Sequence, residues 1–129
     1  MKKLTIYLTV LILCFSCGEP KPTPEVIIGK WALVDIKDGD IDINHERNPK
    51  GDRIMEFYKD GTYFTSDSGT ADRTGKWSLD TAKNILRLDS DAGPGDDTRW
   101  TVELKNDTFY TRGKKPMIRN VLTKWVKIK

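Results

Sequence analysis

The chain has 129 residues, of which 22 are Lys or Arg and 19 are Asp or Glu, so its net charge is only +3. This near balance excludes the strongly basic composition of a nucleic-acid-binding domain, and the length suits a single folded domain. Cys14 and Cys17 are the two cysteines. Residues 18–129 therefore hold no disulfide, thiolate metal site or thiol nucleophile, and their fold depends on a hydrophobic core.

The N-terminal segment has the features of a signal peptide. Lys2 and Lys3 precede the mostly apolar residues 4–15, a run shorter than the roughly 20 residues of a membrane-spanning helix. A small residue, Ser16, stands directly before Cys17. A basic start, a short apolar region and a small residue at the cleavage point are typical of an exported chain.

These residues together resemble the signal peptide of a bacterial lipoprotein. The resemblance implies removal of residues 1–16 and attachment of lipid, including palmitate, to the sulfur of Cys17. Gly18 stands where an aspartate would favour the inner membrane, so the same resemblance implies the outer membrane. The chain is thus expected in the cell envelope, with the membrane as a partner through its lipid anchor. Secretion with Cys17 as a free thiol is the alternative.

Residues 17–25 are predicted to be a lipidated linker. Pro20, Pro22 and Pro24 alternate with other residues, and proline fixes φ near the polyproline II value while removing a backbone donor. Such a segment is a semi-rigid spacer that rises ~3.1 Å per residue. The folded domain is then predicted to occupy residues 26–129.

This domain is predicted to be all β. Apolar residues do not recur at helical spacing over three turns; they form short runs rich in β-branched and aromatic residues, separated by turn signals. In one run, Trp100, Val102 and Leu104 alternate with polar residues. The predicted strands cover residues 26–36, 53–58, 62–66, 74–79, 85–89, 99–105, 108–112 and 118–128.

Eight strands joined mostly by short links imply antiparallel neighbours. An open sheet leaves two edges, whereas closure removes both. We therefore predict a small eight-stranded antiparallel up-and-down β-barrel, with a two-sheet β-sandwich as the alternative. The long connection at residues 37–52 is expected to cover one mouth of the barrel.

Several segments resemble one family. Gly29-Lys30-Trp31 matches the Gly-x-Trp element that opens lipocalin barrels. Further matching segments are Ile54-Met55-Glu56-Phe57, Asp60-Gly61-Thr62-Tyr63, Gly75-Lys76-Trp77-Ser78-Leu79-Asp80 and Leu86-x-Leu88. Over residues 28–129 this ordered set resembles the lipocalin-like domains of lipoproteins from Bacteroides-type bacteria, most of which have no determined function. The resemblance implies a lipocalin-like barrel.

Four aromatic side chains on the predicted strands are candidates for lining a ligand pocket: Phe57, Tyr63, Trp77 and Trp100. Aromatic walls with a few polar groups suit a small hydrophobic ligand. The alternative is that these side chains form the core, because a domain of this size needs large side chains to bury enough area. Trp31 is expected to plug the closed end of the barrel.

No catalytic residue, metal site or cofactor is predicted. Residues 38–44 carry alternating oxygen ligands, but a calcium loop of the EF-hand type needs Gly and Glu where Ile43 and Pro49 stand. The lone His45 is expected in a loop, and no nucleophile or phosphate-loop motif occurs. The acids of a second cluster are interpreted as solvated loop carboxylates: Asp89, Asp91, Asp96 and Asp97.

Three hypotheses of function follow. The first is a membrane-anchored, non-catalytic lipoprotein that binds a small hydrophobic ligand in its barrel. The second is a structural or interaction lipoprotein whose barrel is filled and whose loops bind a protein or an envelope polymer. The third, a hydrolase that uses His45 and loop acids, has the least support.

Overall fold

The structure is a computed structural model that describes residues 21–67 and 70–129. The predicted signal peptide and Cys17 lie outside the described residues. The elements are the helices α1 (Pro24–Ile27) and α2 (Asn44–Arg47) and the strands β1 (Gly29–Asp38), β2 (Ile41–Asp42), β3 (Ile54–Phe57), β4 (Thr62–Asp67), β5 (Thr70–Asp80), β6 (Ile85–Ser90), β7 (Thr98–Lys105), β8 (Thr108–Gly113) and β9 (Val121–Lys127). None of the helices in this part of the chain is both long and apolar enough to cross a membrane.

Eight of these strands form a closed antiparallel barrel. Strand β1 pairs with β3, each strand from β3 to β8 pairs with the one that follows it, and β9 pairs back onto β1. The two-residue β2 lies outside the barrel, as a hairpin extension of β1. The predicted up-and-down barrel is therefore confirmed. The sandwich alternative is wrong, because the β1–β9 pairing closes the sheet on itself.

The first and last strands begin later than predicted. Residues 26 and 27 belong to α1, in which Pro24 occupies the first turn, where its missing N–H is no disadvantage. Gly29 then adopts a φ of 126° as α1 passes into β1, a value that glycine reaches freely. The last strand begins at Val121 because residues 118–121 form a turn, closed by a bond from the Val121 N–H to the Ile118 carbonyl at 2.9 Å.

The two ends of the barrel differ in their connections. At one end, which we call the closed end, residues 58–61, 81–84 and 106–107 make short links, and α1 packs there. At the other, which we call the open end, residues 39–53, 91–97 and 114–120 form longer connections. Longer connections gathered at one end of a scaffold are where binding residues are commonly placed.

Trp31 plugs the closed end, as expected. Its side chain is fully buried, and its Nε1 donates a hydrogen bond to the Ile27 carbonyl at 2.8 Å. Its ring meets Phe109 edge-on, with centroids 4.6 Å apart. The Nζ of Lys127 lies 5.3 Å from the centroid of the Trp31 ring and donates to the Val26 carbonyl at 3.0 Å. The helix and the two strands that close the barrel are therefore joined around one side chain.

Candidate functional site

The barrel encloses a cavity of about 390 Å³ that extends to the open end. Every one of the eight barrel strands contributes at least one side chain to its wall, and residues of the longer connections, such as Ile43 and Met117, line its upper part. Pockets for small molecules have volumes of roughly 300–1,000 Å³. The cavity is thus large enough for one small ligand.

The alternation of strand residues places apolar side chains inside. On β6, Leu86 and Leu88 are 1% and 5% exposed, whereas Arg87 between them faces solvent. Successive strand residues point to opposite faces, so a shift of one residue would exchange these two sets. On the barrel strands, the apolar side chains that line the cavity are those of Leu33, Ile36, Met55, Leu86, Leu88, Trp100, Phe109, Val121 and Trp125.

A short polar chain interrupts this apolar wall. The Nε1 of Trp125 donates to the Thr123 hydroxyl at 2.6 Å, and the Thr123 and Thr111 hydroxyls are hydrogen-bonded to each other. Both threonines are buried and line the cavity. An indole N–H only donates, so these two bonds use its hydrogen and one hydroxyl hydrogen. Among the hydrogen bonds of the described residues, the second hydroxyl hydrogen has no acceptor, and a ligand atom can accept it.

Three arginines line the cavity: Arg47 on α2, Arg53 just before β3, and Arg73 on β5. Arg47 and Arg73 are exposed, whereas Arg53 is partly buried and its Nε is shielded from solvent. Asp38 and Asp96 line the same cavity. Positive charges therefore outnumber negative charges by one among the described lining residues.

Asn48 fixes the connection that carries two of these arginines. This side chain is 4% exposed; its Nδ2 donates to the Leu33 carbonyl at 3.1 Å, and its Oδ1 accepts the Arg53 N–H at 3.1 Å. The bonded carbonyl lies at the irregularity of β1 between Leu33 and Asp35, where the regular pairing with β9 is interrupted. Asn48 thus ties the long connection to β1 and holds Arg53 beside the cavity.

Tyr63 is the ionisable side chain buried in the cavity wall on β4. Burial raises the pKa of its hydroxyl above the ordinary value of 10.0, since the phenolate would lose its hydration. A hydrogen bond with Ser90 opposes this rise in pKa, and so does the charge of Arg73, whereas Asp91 and Asp97 add to it. The neutral phenol is therefore the form that this wall favours.

This shift predicts a loss of stability at high pH. The unfolded chain releases the Tyr63 proton near pH 10, whereas the folded chain retains it to a higher pH, so the free energy of unfolding falls as pH rises through that interval. At pH values below the pKa that Tyr63 has in the unfolded chain, the contribution of this residue to the free energy of unfolding is fully present. Urea midpoints measured across alkaline pH should decline less steeply for Tyr63→Phe than for the unaltered chain. If the urea midpoints of the two proteins decline equally with pH, the raised pKa of Tyr63 is not the cause of the loss of stability.

The predicted ligand-lining residues divide into two pairs. Tyr63 and Trp100 line the cavity. Phe57 and Trp77 are not among the described residues that line it; they meet edge-on, with ring centroids 5.4 Å apart, and pack with the core. The strand pattern did not single out Phe109 and Trp125 as lining residues, although both lie on predicted strands. It did not indicate the three arginines at all.

The acidic residues of the sequence do not gather into a metal site. No group of three or more His, Cys, Asp or Glu suited to a metal ion occurs within residues 21–67 and 70–129. His45 is exposed on α2 and not in a loop. Three acids of the second cluster have separate partners: Asp89 pairs with Arg87 at 2.6 Å, Asp91 accepts from the Thr74 hydroxyl at 2.7 Å, and Asp97 accepts the Ser90 N–H at 2.8 Å.

Comparison with known proteins agrees with the class defined by this geometry, a closed antiparallel barrel with an internal cavity. No protein-family model matches the chain, and no curated protein matches it. Among solved structures, a DUF4847 family protein from Bacteroides vulgatus ATCC 8482 is similar, with a TM-score of 0.57 and 12% identity over 81% of this chain and 95% of that chain. At this identity the likeness shows the fold alone.

Proposed function

We propose that the protein is a membrane-anchored, non-catalytic binding module that holds one small hydrophobic ligand in a lipocalin-like barrel. The cavity of about 390 Å³ is the observation that carries the proposal. Trp31 closes the barrel below it, and the longer connections give access from the open end. A barrel filled by its own side chains would favour an interaction protein instead.

The wall of the cavity is suited to an apolar molecule. Transfer of apolar surface from water stabilises a complex by roughly 25 cal/mol per Å². Trp100, Phe109 and Trp125 offer ring faces and edges to such a molecule. The few polar groups in the wall are sufficient to orient the ligand. A mostly apolar lining with a few polar groups is the usual composition of a small-molecule site.

The proposed anchor is a lipid on Cys17, which precedes the described residues. The chain enters the barrel through α1 at the closed end. A spacer from Cys17 to α1 spans roughly 20 Å if extended as polyproline II. The open end would then face away from the anchoring membrane, here proposed to be the outer membrane, so the ligand would be taken up from the adjacent aqueous space.

An interaction lipoprotein is the second candidate. Met117 and Ile41, both in the connections at the open end, are 96% and 68% exposed. Apolar side chains that protrude from loops are suited to contact with a protein or an envelope polymer. This function does not require the cavity, so a variant that fills the cavity distinguishes the two candidates.

Thr65→Trp is the variant that tests ligand binding. Thr65 lies on β4 and lines the cavity, so an indole at this position should occupy the ligand volume. We expect the variant to lose at least tenfold in affinity for the neutral fluorescent probe N-phenylnaphthylamine, a loss of about 1.4 kcal/mol or more. The measurement is a fluorescence titration, with a thermal melt to establish folding.

The matched control is Thr101→Trp, because Thr101 is exposed on β7, on the outer face of the barrel. It should bind the probe as tightly as the unaltered chain. Equal binding by a folded Thr65→Trp variant would place the probe outside the barrel and would favour the interaction protein.

A further inference from the structure

We propose that the two buried threonine hydroxyls in the cavity wall select a ligand that carries a neutral carbonyl group in the middle of an otherwise apolar body. This inference rests on the proposed function, since it concerns the same cavity. It gives the ligand a chemical class and makes Thr111 and Thr123 the residues that determine specificity.

The hydroxyl pair has one hydrogen to offer. Thr111 and Thr123 are direct partners across β8 and β9, and each is 6% exposed. The bond between the two hydroxyls uses one hydroxyl hydrogen, whichever threonine donates, and the bond from Trp125 uses the indole hydrogen. The other hydroxyl hydrogen has no acceptor among the hydrogen bonds of residues 21–67 and 70–129. A buried donor left unpaired is unfavourable, so an acceptor on the ligand strengthens binding.

The surroundings of the pair favour a neutral acceptor. Thr111 is paired with Val102 on β7 and Thr123 with Ile36 on β1, and both of these apolar partners are buried. An ionised group at this height would exchange water for apolar neighbours and one neutral donor, and a single such bond does not offset the burial of a charge. A neutral carbonyl exchanges a hydrogen bond with water for one with the hydroxyl.

Apolar side chains line the cavity on both sides of the pair along the barrel axis. Phe109 and Trp125 are the next inward residues of β8 and β9 towards the closed end. Val121 and Trp100 lie towards the open end, where Trp100 is the partner of Gly113. All four of these large side chains line the cavity. A ligand therefore contacts apolar surface at both ends and a donor between them, which places its acceptor within the molecule.

Benzophenone and diphenylmethane are the probes, because they differ only in the group that joins their phenyl rings, a carbonyl in one and a methylene in the other. Each is titrated against the purified full-length chain in competition with N-phenylnaphthylamine. The infrared C=O stretching frequency of bound benzophenone, isotopically labelled at the carbonyl carbon, is then recorded. A hydrogen bond to the carbonyl oxygen lowers this frequency, so we expect a value below that of benzophenone in hexane.

Variants assign the hydrogen bond to the threonines. The double variant Thr111→Val, Thr123→Val removes both hydroxyls with little change in side-chain volume. Its affinity for benzophenone should fall roughly fivefold, with no fall for diphenylmethane, and the frequency should return to the hexane value. Thr111→Val alone keeps the bond from Trp125 to Thr123 and provides the test if a thermal melt shows the double variant unfolded. It should raise the frequency part of the way, because a hydroxyl within a hydrogen-bonded chain is a stronger donor than an isolated one.

Thr98→Val is the matched control. The Thr98 hydroxyl also accepts from a tryptophan, the Trp100 Nε1 at 2.9 Å, and Thr98 lines the same cavity. It is partly exposed at the start of β7, beside the open end, so water can accept its hydrogen. This variant should leave both the frequency and the affinity for benzophenone unchanged.

The outcomes separate this inference from the proposed function. If bound benzophenone has the hexane frequency in the unaltered chain, or if Thr111→Val and the folded double variant keep the lowered frequency, the role of the threonines is wrong and the proposed function stands. The same conclusion follows if Thr98→Val abolishes the lowered frequency as fully as the double variant does. If neither benzophenone, diphenylmethane nor N-phenylnaphthylamine binds, the proposed function fails and this inference fails with it.

Discussion

Replacement of Trp31 by alanine should lower the free energy of unfolding by about 3–5 kcal/mol, the range for removing a large buried aromatic side chain. The side chain is 0% exposed, contacts Phe109 edge-on and donates to the Ile27 carbonyl. Loss of the side chain would leave a void at the closed end of the barrel and would leave the Ile27 carbonyl without this hydrogen bond. Since domains of this size are stable by about 5–15 kcal/mol in all, the variant should be close to unfolding.

Urea denaturation followed by circular dichroism measures this loss. Trp77→Ala is the matched control, since Trp77 is the same residue type, is only partly buried, and donates to the Tyr58 carbonyl at 3.0 Å. It should lose clearly less stability than Trp31→Ala. Equal losses would contradict the account of Trp31 as the plug of the closed end.

Cys17→Ser should move the protein from the membrane fraction to the soluble fraction. Each methylene of an acyl chain that enters the bilayer contributes ~0.8 kcal/mol, so two or three chains hold a protein almost permanently. Without the thiol no lipid can be attached. Fractionation of cells, together with metabolic labelling by palmitate, measures both the location and the modification.

Cys14→Ser provides the control for this experiment. Cys14 follows the large Leu13, which does not suit the position before a lipidated cysteine, and it is expected to leave with the signal peptide. The Cys14→Ser protein should therefore remain labelled and membrane-bound. Sedimentation of Cys17→Ser with membranes would refute the lipid anchor, and so would loss of label from Cys14→Ser alone.

The barrel could be predicted from the sequence because its strands are amphipathic. Trp100, Val102 and Leu104 alternate with polar residues, and the same residues face inward in the structure. The start of β1 could not be predicted in the same way. Val26 and Ile27 form part of a β-branched run, but Pro24 before them favours a helical first turn and Gly29 after them allows a turn into the strand.

The extent of the cavity could not be predicted from the strand pattern. Phe57, Tyr63, Trp100 and Phe109 all occupy inward positions, yet Phe57 packs in the core and the others line the cavity. Phe57 and Tyr63 are direct partners across β3 and β4, so the difference lies in the packing of the side chains, which does not follow from alternation. An eight-stranded barrel is only just wide enough for its own side chains, so small differences in the size and packing of the inward side chains decide whether space remains for a ligand.

The arginines were missed for a related reason. Arg47 and Arg53 lie in a polar connection, where arginines are normally solvated. Their position depends on the buried amide of Asn48, which bonds to β1 and to the Arg53 N–H. Nothing in the sequence distinguishes this asparagine from its neighbours in the connection. A buried polar tether of this kind becomes evident only when the tertiary contacts are known.

The central claim is that the barrel holds a small molecule, and native mass spectrometry of the protein purified from its own host tests it most directly. The account predicts a single additional mass on the intact chain, released on unfolding and identified as a small hydrophobic molecule, and its absence from the folded Thr65→Trp variant. A chain that carries only its covalent lipid, and that does not take up N-phenylnaphthylamine, would contradict the account.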